Sequence, residues 1–170
     1  MSRDYPDWLD PFKAAQARRR FVGTIRLSEL ESVQDLIEEP GEAEVAFGLD
    51  FDLDDQREVR VSVRVSGRVP MLCQRTLQPF WQQIDSNSVV AIVDAESAIE
   101  RLPEDYEPLV LEEPRLRLVD LVAEELLLAL PLVPRAPGSE PVGTQEASGP
   151  EAADVQRPFA VLADLTRKRD

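Results

Sequence analysis

The chain has 170 residues and a formal charge of −14, from 33 acidic against 19 basic residues, with no histidine and one cysteine. That length predicts a single domain with its own core and room for tails, and a field of that sign repels phosphate backbones while attracting basic proteins. Without histidine there is no Ser–His nucleophile pair, no His-bound metal and no imidazole base; Cys73 alone builds neither an internal disulfide nor a thiolate cage, and suits a reducing cytosol.

Residues 1–12 scatter Tyr5, Trp8, Leu9 and Phe12 among prolines and aspartates, as expected of an extended arm whose aromatic side chains press onto a body. No apolar leader stands here, so no signal peptide is expected. Lys13, Arg18, Arg19, Arg20 and Arg26 then follow without an intervening acid. Such a segment suits an anionic contact, RNA or an acidic partner, or pairing with the protein's own carboxylates. Ser28 and Glu31 form a capping box, predicting a helix with Leu30, Val33, Leu36 and Ile37 on one face and Pro40-Gly41 at its end.

From Glu42 the apolar period becomes two. Val45, Phe47, Leu49, Phe51 and Leu53 lead into a turn at Asp54-Asp55-Gln56, and Val59, Val61, Val63 and Val65 lead back. This predicts a long antiparallel hairpin with one apolar face. Its other face opposes Glu44, Asp50 and Asp52 to Arg60, Ser62 and Arg64, a pattern that supports cross-strand pairing. A turn is expected at Ser66-Gly67-Arg68, then short strands at 69–73, 80–84 and 89–93, making a five-strand meander over 42–94. Residues 95–101 read as a partly helical link.

Residues 106–112 suit an edge strand, which tolerates Pro108. Asp120 is a fair N-cap for a helix over 121–130 that Pro131 stops. Apart from Glu124 and Glu125 that helix is apolar nearly all round, so its own sheet or a partner must bury it. Laid across the meander, it gives a two-layer α+β domain. Residues 135–157 are rich in Pro, Gly, Ser and Glu and predict a disordered linker spanning roughly 25–30 Å. Phe159, Leu162 and Leu165 then share one face of a short helix, followed by Arg167, Lys168 and Arg169. The expected organisation is an α+β domain with its arm over 1–134, a linker over 135–157, and a tethered amphipathic helix with a basic tail over 158–170. Docking of that helix on a partner and docking on its own domain are both open.

Catalytic chemistry finds little material. There is no phosphate loop and no dinucleotide glycine pattern. Glu124 and Glu125 diverge by about 100° on a helix, Asp54 and Asp55 sit at a hairpin tip, and Glu112 and Glu113 precede Pro114. A buried Glu124 or Glu125 is expected to be capped or paired with an arginine such as Arg75. No enzymatic activity, cofactor or metal is expected, and the nine-residue apolar run from Leu126 is too short to span a bilayer.

Five stretches in order, LDPFKAAQARRRFVGTI, MLCQRTLQPF, LPEDYEPL, VDLVAEELLLALPLVP and PFAVLADL, resemble the YceD family, also called large ribosomal RNA subunit accumulation proteins. The resemblance runs over nearly the whole chain and is most specific in EELLLALPLVP and PFAVLADL. It implies a cytoplasmic, non-enzymatic ribosome biogenesis factor that supports accumulation and processing of large-subunit (23S) ribosomal RNA. Its partner would be the large-subunit pre-ribosome or a basic ribosomal protein, with rRNA as an alternative direct contact. Many members carry Cys-x-Arg-Cys where this chain has Cys73-Gln74-Arg75-Thr76, so a metal site is not carried over, while Arg75 keeps the matching position. Candidate contacts to RNA or a partner are Arg18, Arg19, Arg20, Arg60, Arg64, Arg68 and Arg75, with Phe159, Leu162 and Leu165 on the tail.

Overall fold

The computed structural model describes residues 5–104 and 106–139. The core is a five-stranded sheet in the order β2(Arg20–Arg26), β3(Glu44–Leu53), β4(Val59–Leu72), β5(Pro79–Val93) and β6(Glu107–Val110). Four strands form an antiparallel meander, and β6 joins β5 in parallel at the edge. The architecture is the expected α+β, with the strands distributed differently along the sequence.

The predicted hairpin is β3 and β4. Val45, Leu49, Phe51, Val61, Val63 and Val65 are all buried on its inner face, each such side chain contributing about 1.5–3 kcal/mol. Asp54 closes the turn, its Oδ1 accepting from the amides of Gln56 (2.9 Å) and Glu58 (2.8 Å). β2, which falls in the basic segment, is the other neighbour of β3, pairing Arg20 with Asp50 and Arg26 with Glu44.

No turn forms at residues 66–68. β4 runs straight through Gly67, which pairs with both Val45 and Ile84. A side chain there would begin 3.1 Å from Val45 Cγ1 and 3.3 Å from the Glu44 carbonyl, so this glycine serves close approach between strands. The expected strands at 80–84 and 89–93 are likewise one strand of 15 residues.

The capping box does not nucleate an α-helix. Residues 27–36 form two 3₁₀ segments, Leu27–Glu29 and Glu31–Leu36, and Glu29 bonds Arg26 Nε at 2.9 Å. Leu27, Leu30 and Val33 are fully buried, a spacing of three that suits the three-residue turn.

The main helix, α2(Leu118–Ala129), starts earlier than expected because Leu118 and Val119 are already needed in the core. Asp120 therefore lies in the first turn, 3.4 Å from Arg117, where a carboxylate suits the helix dipole. The helix crosses β4 and β5 on the inner face and also meets the Glu31–Leu36 segment. Its one buried charge, Glu125, accepts hydrogen bonds from the Ser86 and Ser88 hydroxyls of β5, not from Arg75.

From Tyr5 onward the N-terminal segment lies against the sheet, but it is not extended throughout, since a helix begins at Pro11. Gly23 leaves room for Tyr5, whose ring meets Phe47 edge-on at 5.0 Å. β1(Trp8–Leu9) pairs with β7(Leu116–Arg117), and Arg115 and Arg117 lie over the Trp8 ring at 4.2 and 5.6 Å. Asp10 caps α1(Pro11–Gln16), accepting the Lys13 amide at 3.1 Å.

Residues 131–139 return over the loop at 73–78. Gln74 N donates to the Pro134 carbonyl at 2.9 Å, and Arg75 donates to the Ser139 carbonyl at 2.7 Å. The start of the expected linker is thus held at Ser139 by the Arg75 side chain and at Ala136 by the Cys73 sulfur. The rest of it and the expected terminal helix lie outside the described residues.

Candidate partner interfaces

Two surfaces stand out, one on each side of the sheet. On the outer face, alternation along β2, β3 and β4 brings Arg20, Asp50 and Ser62 into one row and Asp52 and Arg60 into another, with Arg64 opposite Gly48. Asp50 is ion-paired with Arg20 at 3.2 Å and accepts a hydrogen bond from Arg64. Asp52 accepts from Arg60 at 3.3 Å and faces Arg18 at 3.7 Å. Arg60 also donates to the Tyr106 hydroxyl at 3.1 Å.

Four guanidinium groups thus surround two carboxylates, leaving an excess of two positive charges. The Leu53 amide, 2.7 Å from Asp52 Oδ1, holds the Asp52 carboxyl below its ordinary range, assisted by Arg60 and Arg18 against a desolvation penalty. These pairs are largely solvent-open, so each contributes about 0–1 kcal/mol to stability.

The other candidate contacts are dispersed. Arg68 lies over the exposed Trp81 ring at 5.7 Å, and Arg19 lies over Phe21 at 5.5 Å. Arg75 is half-buried in the 73–78 loop. Phe159, Leu162 and Leu165 lie outside the described residues.

Beside Arg75, Cys73 is fully buried. Its sulfur accepts the Ala136 amide at 3.3 Å. The Thr76 hydroxyl and that amide pull the thiol down to about 6. Among the described residues no group of three or more Cys, Asp or Glu is arranged to hold a metal, and no helix is long and apolar enough to cross a membrane.

The second surface was not singled out in sequence. It is the seam between α2 and the 3₁₀ segments. At the C-terminal end of α2, Leu36, Leu128, Leu132 and Val133 are exposed and line a groove of about 620 Å³; Leu128 is 69% exposed. Its charged lining residues are Asp35 and Glu38. Toward the start of α2 a second hollow of about 480 Å³ has Glu29, Glu31, Arg117, Asp120 and Glu124 as its charged lining residues. Desolvation, then the nearby Asp120 and Glu107 charges, push the Glu124 carboxyl up. Glu31, Asp35, Glu38 and Glu124 make no ion pair among the described residues. The available signal was the excess of apolar residues over 126–134, more than one helix face and a stop can bury.

Comparison with known proteins gives concordant results. The family profile described as "Large ribosomal RNA subunit accumulation protein YceD" matches residues 61–166, more than half of the chain. A Haemophilus influenzae protein of that same name is 34% identical over 170 aligned residues, covering 96% of this chain and 97% of its own length. No solved structure matches. The chain belongs to the YceD family of large ribosomal RNA subunit accumulation proteins.

Proposed function

We propose that this chain is a non-enzymatic ribosome biogenesis factor that supports accumulation and processing of large-subunit (23S) ribosomal RNA in the cytoplasm. It acts by contacting the pre-large-subunit particle, through a basic ribosomal protein. The observation that carries this reading is the end-to-end similarity to a relative named for large ribosomal RNA subunit accumulation. The net charge of −14 favours a basic protein over naked RNA as the direct contact. Depleting the protein is expected to lower large-subunit rRNA relative to small-subunit rRNA, and the protein is expected to co-sediment with large-subunit precursors. Migration only as free protein would end this reading, and so would unchanged rRNA ratios.

A second reading, a direct RNA-binding module, draws on the gathering of Arg18, Arg20, Arg60 and Arg64 on one open sheet face. Against it, Asp50 and Asp52 already engage those groups. Four phosphate contacts would make log K fall against log salt with a slope of about −3 to −4. A slope near zero on naked rRNA fragments, with retained particle binding, removes this reading.

A further inference from the structure

We propose that the seam between α2 and the 3₁₀ segments is a docking groove for a basic, partly apolar protein segment. The groove at Leu36, Leu128, Leu132 and Val133 takes the apolar side chains of that segment. The hollow at Glu31 and Glu124 takes its lysines or arginines. This deepens the proposed function and rests on it, since the segment would belong to a protein of the large-subunit particle.

Three features of the seam carry the inference. First, its apolar side chains are gathered, whereas exposed apolar residues on a soluble surface are ordinarily scattered. Pro131 ends α2 and the chain then turns Leu132 fully outward, so the apolar surface continues beyond the helix. Second, its charge has one sign where it matters. Glu31, Asp35, Glu38 and Glu124 have no ion partner among the described residues, and the one basic lining residue, Arg117, is held by Asp120 at 3.4 Å. Third, the two halves lie along one helix. Two four-residue steps, Asp120 to Glu124 to Leu128, advance about 6 Å each, so one short segment reaches both.

The same features discriminate among occupants. Phosphate and anionic lipid headgroups meet an excess of carboxylates here, with the single Arg117 already engaged by Asp120, and no aromatic side chain lines either half for base stacking. A second copy of a chain with net charge −14 would set like charges against one another. A segment with flanking lysines or arginines would offset the repulsion from Asp120 and Glu107 that adds to desolvation in raising the Glu124 carboxyl.

The test places a photo-crosslinking residue at Leu132 in the full-length chain, and in a second preparation at Gln83 on the exposed outer sheet face. Each is mixed with isolated large-subunit precursor particles, sedimented, irradiated and read by peptide mass spectrometry. The proposal predicts that the Leu132 probe marks a ribosomal-protein segment containing lysine or arginine beside apolar residues, and that the Gln83 probe does not mark that segment. Co-sedimentation with the Leu132 probe attached to rRNA, to a second copy, to this chain's own residues 158–170, or to nothing overturns the groove while leaving the proposed function standing. Absence of co-sedimentation overturns both. As a second reading of the same claim, Leu128→Asp with Leu132→Asp is expected to weaken particle association by about tenfold or more with the unfolding midpoint unchanged. Unaltered association also overturns it.

Discussion

The two sides of this molecule treat charge in opposite ways. On the outer sheet face Asp50 and Asp52 each have two guanidinium neighbours, and the registers that place them are the registers of the sheet itself. Along the α2 seam, four carboxylates and four large apolar side chains have no comparable partner within the described residues. A surface whose groups already satisfy one another gains little from a second molecule, because each contact made is a contact exchanged. A surface left unsatisfied has more to gain. At Arg18, Arg20, Arg60 and Arg64 the positive charge of the sequence is shared with the chain's own Asp50 and Asp52.

The largest effect that sharpens this contrast lies within one helix. Leu126 is fully buried, and Leu126→Ala is expected to cost about 2–5 kcal/mol in chemical denaturation. Leu128, two residues on, is expected to shift stability by no more than ~0.5 kcal/mol when changed to Ala, while weakening particle association. Equal costs at the two positions would mean that the exposed half of α2 is buried in solution.

Next in size is Glu125, which joins α2 to β5. Glu125→Ala leaves the Ser86 and Ser88 hydroxyls without their acceptor and is expected to cost about 1–3 kcal/mol. Restoration of stability in a triple variant that also carries Ser86→Ala and Ser88→Ala would confirm that the penalty comes from the unpaired hydroxyls.

The smallest expected effects are pH linkages of opposite sign. Asp52 has a folded-state carboxyl below its ordinary value. Its contribution is complete above the ordinary carboxylate range and is lost as pH falls through the lowered value. Asp52→Asn should therefore flatten the acid limb of a stability profile. Glu124 has a raised carboxyl, so the folded state binds its proton more readily and is relatively stabilised as pH falls through that raised value. Glu124→Gln should give a small gain at neutral pH that disappears in acid. Two profiles of the same sign would contradict the assignment of one carboxylate to a paired face and the other to an unpaired one.

The β3–β4 hairpin was legible in sequence because Val59, Val61, Val63 and Val65 alternate without interruption against Val45, Phe47, Leu49 and Phe51. β5 was not, because its inward positions include Ser86 and Ser88, polar residues that make sense only once Glu125 is placed opposite them. Gly67 was read as a turn although its role is to let two strands close on it. Ser28 and Glu31 satisfied a local helix-start pattern, but burial of Leu27, Leu30 and Val33 favoured a tighter spacing. The arginine face was legible as composition, and the neutralising role of Asp50 and Asp52 followed from the same alternation. The α2 seam was hidden because an apolar run does not reveal which of its side chains the core will leave outside.

The most direct test compares the two surfaces in one assay. Wild-type full-length chain, the seam variant Leu128→Asp/Leu132→Asp and the sheet-face variant Arg20→Gln/Arg64→Gln would be sedimented side by side with large-subunit precursor particles. The seam variant is expected to lose association by about tenfold or more, while the sheet-face variant stays within about threefold of wild type, as expected for exposed paired charges. The reverse order, with the arginine variant released and the seam variant retained, would contradict the account.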